Sequence, residues 1–268
     1  EVMTFLSSQL PLILAHCTFE KSTTMPTLIF DIVAIVLSLG ALAYFRKGTD
    51  RFWLRVLVVA IGVLIFELFT GPMWLNQRMG MLAYLYLDVS WILTLGWTAI
   101  ILGSILLIDR WKSDWSAAKR FPLYLALILP IVIVAETVVV NVGIRSYSHE
   151  VQEATSGIMV MGVPLEILYY VPVFASLVIT FYKYWSFQID RTPLVPIPRQ
   201  RWLRGIGLAF IAVFLFELMI EPMVENRGFP AWSYIYRDIS LIMTLVWILI
   251  IGTGAVIVER FFIHWAMW

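Results

Sequence analysis

Apolar residues in this chain do not alternate with polar ones. They arrive in blocks of roughly 20, the length that crosses a bilayer core of about 30 Å. Seven such blocks are Leu28–Phe45, Trp53–Pro72, Asp88–Ile108, Pro122–Val142, Pro164–Lys183, Leu203–Pro222 and Asp238–Val258. An eighth stretch, Val2–Phe19, is shorter and is interrupted by Ser7, Ser8, Gln9, Pro11 and His16. It reads as an interfacial or re-entrant segment within residues 1–27. It has no basic leader, so it does not read as a signal peptide.

The polar intervals between blocks carry a second pattern. Of the 19 lysines and arginines, Lys21, Arg78, Arg145, Arg227 and Arg237 fall in one alternating set of loops, and the other 14 fall in the opposite set. Basic loops stay in the cytoplasm, so the split predicts seven spans with the N-terminus outside and the C-terminus inside. The connection Trp185–Gln200, with Pro193, Pro196 and Pro198, reads as an extended strap.

The blocks also repeat. FELFTGPMWLN (Phe66–Asn76) and YLYLDVSWILTLGW (Tyr84–Trp97) recur 150 positions later as FELMIEPMVEN (Phe216–Asn226) and YIYRDISLIMTLVW (Tyr234–Trp247). Trp53-Leu54-Arg55 matches Trp202-Leu203-Arg204, and the helix after Pro26 aligns loosely with the one after Pro164. The expected fold is all-α and membrane-integral, seven helices in a 3+1+3 parallel repeat. Residues 28–110 form the first repeat, 111–162 a linker with the fourth helix, and 163–268 the second repeat.

Composition narrows the function. With 61% hydrophobic and 14% charged residues, this is not a soluble domain. The single cysteine, Cys17, excludes an internal disulfide or a cysteine metal cluster. The last span has no lysine for a retinal Schiff base. His16, His149 and His264 form no intramembrane pair for haem, and no metal-ligand spacing or glycine-rich phosphate loop is present. No metal, cofactor or nucleic acid is expected.

What remains is acids. Asp31, Glu67, Asp88, Glu136, Glu166, Glu217, Glu221 and Asp238 all fall in the outer half of the predicted bundle, with none expected in the cytoplasmic half of the core. Carboxylates at membrane depth are expensive and mark function. Asp88, Asp238 and Glu166 open helices, where capping by itself accounts for an acid. Glu67 and Glu217 stand near helix C-termini, where the dipole opposes them. They must be protonated, paired with Arg78, Arg227 or Arg237, or held by groups such as Asn76 and Asn226. A carboxyl group in an apolar pocket can act as a general acid. Trp74, Trp91, Trp97, Trp232 and Trp247 offer faces to a developing cation, although tryptophan also anchors helices at interfaces.

Around Glu67/Asp88 and Glu217/Asp238, the pattern resembles the small seven-helix membrane terpene cyclases of fungal meroterpenoid and indole-diterpene pathways. Those carry a Glu near the end of the second helix, a following Pro, and an Asp opening the next. GVPLEILYYVP (Gly162–Pro172) is similar to the Pro-Leu-Glu-Glu stretch of heterodimer-type lycopene cyclases, with Ile167 in place of the second Glu. The resemblance implies acid-initiated cyclisation or hydration of an isoprenoid lipid bound from the bilayer. Glu67 and Asp238 would be the first acids, with Glu217 and Asp88 as partners. Trp74, Trp91, Trp97, Trp232, Trp247, Asn76, Asn226, Asp31, Glu136 and Glu166 would form the substrate site. Two alternatives stay open: a 3+1+3 solute or proton-coupled transporter, and a non-catalytic subunit among membrane partners.

Overall fold

The computed structural model describes residues 21–190, 202–224, 226 and 228–257. The Val2–Phe19 segment, Cys17, Arg227 and the proline-rich part of the strap lie outside them. Among the described residues the long helices are α1 (Met25–Arg46), α2 (Phe52–Thr70), α3 (Trp91–Trp111), α4 (Ala117–Asn141), α5 (Ile167–Asp190), α6 (Trp202–Ile220) and α7 (Leu241–Ile257). The first six are long and apolar enough to cross a membrane, so by length and composition this is an all-α, multi-pass membrane protein. Helix α7 is equally apolar but covers 17 residues.

The helix ends follow local chemistry. Helix α1 starts in a reciprocal cap: Thr24 and Thr27 each accept from the other's backbone N–H, with Pro26 in the first turn. Ser90, not Asp88, caps α3, accepting from the Ile92 N–H at 3.3 Å. Asp88 sits two residues earlier, in a tight reversal, and α7 likewise begins after Ser240 rather than at Asp238. The capping account of these two acids therefore fails. Helix α4 begins before Pro122 and continues through Pro130. Helix α5 runs to Asp190, so the first third of the expected strap is helical.

Helix α3 is the axis of the bundle. It packs against α1, α2, α4 and α5, and twelve of its residues are buried. Helix α5 lies along α2 and α4, so close to α2 that a Cβ at Gly62 would meet the Phe181 ring at 2.9 Å. Helix α6 joins through α5, and α7 through α6. The α2–α3 pair thus has its counterpart in α6–α7. The third helices differ: α1 packs extensively on α3, whereas α5 and α7 make at most a marginal contact.

At one end of the bundle, short strands form two-stranded antiparallel ribbons. Strand β1 (Trp74–Asn76) pairs with β4 (Arg145–Tyr147), and β2 (Tyr84–Tyr86) with β3 (Val89–Ser90). Strands β5 (Met159–Val160) and β6 (Val163–Pro164) pair, as do β7 (Tyr234–Tyr236) and β8 (Ile239–Ser240). The opposite end carries an acid the sequence reading did not expect. Asp109 of α3 accepts from Lys183 at 2.7 Å, Arg120 at 2.8 Å and Tyr124, tying α3 to α4 and α5.

Candidate active site

The duplicated passage builds the same scaffold twice. Helix α2 stops where Pro72 removes a donor, and a 3-10 turn (Gly71–Met73) hands the chain to β1. Leu87 then takes a positive φ of 44° to reverse the chain into β3. In the second copy Glu221–Met223 and Arg237, with φ of 43°, do the same. The bonds repeat as well. The Asn76 amide donates to the Asp88 carbonyl at 2.7 Å, and Asn226 to that of Asp238 at 2.9 Å. The Tyr84 hydroxyl donates to the Asn76 carbonyl, and Tyr234 to that of Asn226.

Each glutamate is held by a threonine from the next helix. Thr94 touches Glu67 and also lies 3.0 Å from the Ser90 carbonyl. Thr244 touches Glu217 and lies 3.2 Å from the Ser240 carbonyl. A hydroxyl has one proton to give. Both contacts are hydrogen bonds at once only when the glutamate carries a proton and donates to the threonine oxygen. Arg78 and Asn76 are not the partners that the sequence suggests, and Arg237 lies instead 3.8 Å from Glu221.

Around Glu67 the scaffold opens into a small chamber of about 60 Å³, room for a few waters or the end of a ligand. Glu67, Asn76, Asp88, Trp74, Trp97 and Glu136 line it, together with Arg145, Tyr170, Phe66 and Phe174. Strand β4 completes one wall. Its pairing with β1 sets Trp74 opposite Tyr147 and Asn76 opposite Arg145, so alternation sends this set to one face. Arg145 donates to Glu136 at 2.7 Å and to the Asn76 side chain at 3.0 Å, and Tyr147 donates to Glu136 at 2.9 Å. Burial opposes the Arg145 charge, but Glu136 more than offsets this and holds its pKa above the ordinary value.

Asp88 contributes an unspent acceptor. Its carboxyl is buried, and Oδ1 has no hydrogen-bond partner among the described residues. Burial pushes its pKa up from 3.8 to about 6, with Lys21 pulling the other way. Aromatic faces lie opposite: Trp97 stacks edge-on to Phe174 at 4.4 Å, and Phe66 lies 4.9 Å from Phe174. Arg145 already covers Trp74 at 5.6 Å from the ring centre, so among the aromatic rings that line the chamber Trp97, Phe66, Phe174 and Tyr170 are not covered by it. Comparison with protein-family models, with curated proteins and with solved structures finds no match.

The remaining sequence candidates lie elsewhere. Asp31 is buried on α1 with an unpartnered Oδ1, near Tyr84. Glu166 accepts from the Ser156 N–H at 2.6 Å; burial raises its pKa, but these bonds leave it below the usual value. Trp91 donates to the Leu82 carbonyl, and Trp232 and Trp247 are exposed. Glu217, Asn226 and Asp238 belong to the second copy and do not line the chamber. Among the described residues no three His, Cys, Asp or Glu converge on a metal-sized point. Sequence reasoning missed Thr94, Arg145, Tyr147 and Tyr170 as site residues. Thr94 was legible, because Thr244 repeats it 150 positions on. Arg145 carried no signal beyond a loop charge.

Proposed function

We propose that the protein is a membrane enzyme that performs acid-initiated cyclisation or hydration of an isoprenoid lipid, with Glu67 as acid and Asp88 as base. One observation carries this reading: Glu67 and Asp88, whose Oδ1 has no hydrogen-bond partner among the described residues, line one small chamber together with Trp97, Phe66 and Phe174. Glu67 gives its proton to one carbon of a terminal double bond, and the π electrons form the new C–H bond. The cation left on the neighbouring carbon is stabilised by Trp97, Phe66 and Phe174. A second double bond closes a ring, or water adds. Asp88, largely carboxylate at neutral pH with a pKa of about 6, takes the proton released and gives it up to solvent, while Glu67 takes one from solvent, so both acids return to their starting states. Cyclisation leaves the formula unchanged; hydration adds one water. A pair of carboxyls in environments that separate their roles is the usual acid–base arrangement.

The architecture completing this reading is seven spans in a 3+1+3 parallel repeat, N-out and C-in, with α7 as the last span. The matched hydrogen-bond sets of the two copies support the repeat, and the loop charge split supports the orientation. The test is mass spectrometry of products after feeding membranes a panel of isoprenoids, wild type against Glu67→Gln and Asp88→Asn. Product from the wild type and none from Glu67→Gln is expected. Unchanged lipids combined with solute movement in liposomes would overturn the enzyme in favour of a transporter. Stoichiometric co-purifying partners without turnover would favour a subunit.

A further inference from the structure

Three short reversals at the ribbon end of the bundle share a composition that the acid–base chemistry leaves unused. Residues 79–87, 157–165 and 229–236 contain no Asp, Glu, Lys or Arg. Their tips are large, apolar and bare: Leu82 is 93% exposed, Met161 74% and Trp232 73%. Met81, Leu85, Met159 and Val160 are exposed beside them. Apolar surface left open in this way marks a contact surface.

Two of the tips are fixed in height. The indole of Trp91, the first residue of α3, donates to the Leu82 carbonyl at 2.8 Å. The side-chain amide of Asn141, the last residue of α4, donates to the Met161 carbonyl at 2.8 Å. Both tips are therefore tied to the ends of helices long and apolar enough to cross a membrane. Exposed apolar side chains of α4, Val134 and Val138, lead up to the same level. Trp232 stands where Leu82 does in the first copy, and β7 and β8 repeat the ribbon behind it.

We infer that these three reversals lie in the membrane interface, with Leu82, Met161 and Trp232 seated at the boundary between lipid headgroups and acyl chains. The partner is the lipid surface itself. Backbone chemistry sets the depth. Each ribbon has two strands, so its outer edges are unpaired, and an unpaired edge is not tolerated within hydrocarbon. The backbone stays at headgroup level while the side chains reach below it, as interfacial anchors do. Tyr86, Trp91, Trp232 and Tyr236 add rings with one polar group each, the side chains enriched at that depth. A soluble protein partner would account for bare apolar tips, but not for their attachment to the ends of spans. This placement is independent of the acid–base chemistry and needs only that the apolar helices cross the bilayer.

In a Cys17→Ser background, which removes the single cysteine, Leu82→Cys, Met161→Cys and Trp232→Cys are each labelled with an environment-sensitive fluorophore. The full chain is held in liposomes and two kinds of quencher are compared: aqueous iodide, and phosphatidylcholine carrying a nitroxide either high or low on its acyl chain. Val36→Cys, exposed near the middle of α1, is the deep reference, and Asp114→Cys, exposed just beyond α3, is the aqueous one. At all three tips the emission is expected to lie to the blue of Asp114→Cys. The shallow nitroxide should quench more than the deep one, and iodide should quench little. Iodide quenching equal to that of Asp114→Cys would place the tips in water and overturn the proposal. Protection from iodide and from both nitroxides would put a protein partner or a second copy over them, and would overturn it as well. Deep-nitroxide quenching that matches Val36→Cys would overturn the interfacial depth. Should a tip variant fail to fold, Leu85→Cys and Met159→Cys, exposed on the same ribbons, take the same measurement.

Discussion

The two copies of the repeated passage share a backbone and a hydrogen-bond scheme, yet the chamber is lined by the acids of the first, Glu67 and Asp88, and not by Glu217 or Asp238. The difference sits in a few side chains and one neighbour. Where the first copy has Gly71 and Leu87, the second has Glu221 and Arg237, which face each other at 3.8 Å. Where the first has Trp74, the second has Val224. Strand β4, which lies in sequence between the two passages, then adds Arg145 and Tyr147 to the first copy. The first copy thus presents Glu67 to a chamber, and the second carries the Glu221–Arg237 pair.

The largest test of this contrast is catalytic. Glu67→Gln should lower product formation by about 10²–10⁴-fold, the range for a general acid, while Glu217→Gln leaves it within a few-fold. Rates in membranes holding equal protein decide it, and equal losses would erase the distinction between the copies.

Next comes the linker's contribution. Arg145→Met leaves the buried Glu136 carboxylate unpaired and should destabilise the fold by about 3–5 kcal/mol. The double change Arg145→Met/Glu136→Leu should recover much of that loss in thermal unfolding in detergent. Arg237→Met, at a half-exposed pair, should cost no more than about 1 kcal/mol.

Asp88 sharpens the comparison through pH. Its folded pKa of about 6 lies above the ordinary 3.8, so its contribution to stability is present below pH ~4 and is lost as pH rises through 6. Asp88→Asn should therefore raise stability at pH 7.5 by about 2 kcal/mol and change little at pH 4. Activity should run the other way, rising through pH 6 as the base ionises. A rate that instead falls across that window would reverse the roles of Glu67 and Asp88.

The smallest expected difference is between the asparagines. The Asn76 side chain bonds both Asp88 and Arg145, whereas among the described residues that of Asn226 bonds Asp238 alone. Replacement by alanine should cost about 2 kcal/mol at Asn76 and about 1 kcal/mol at Asn226, read from midpoints of thermal unfolding.

Much of this was legible beforehand because a membrane simplifies the code. Apolar runs long enough to span must be helices, since no water is present to satisfy a bare backbone, and six of the seven expected runs are helices long and apolar enough to cross, the fifth running seven residues past its predicted end. Pro72 and Pro222 marked where α2 and α6 end, and the repeat marked Glu67 and Asp88. It could not separate Glu67 from Glu217, because local sequence around the two is nearly the same.

By itself, then, the sequence determined the spans, the duplicated turns and the acids worth watching, since each follows from local composition and spacing. Tertiary structure decided the rest. It showed Ser90 rather than Asp88 capping α3, seated α5 against α2 and α4 rather than α7, and brought β4 across from the linker to β1. Contacts between residues some 70 positions apart, such as Asn76 with Arg145, leave no period or motif to read. They depend on which helices pack together, and that is settled by the shapes of whole faces.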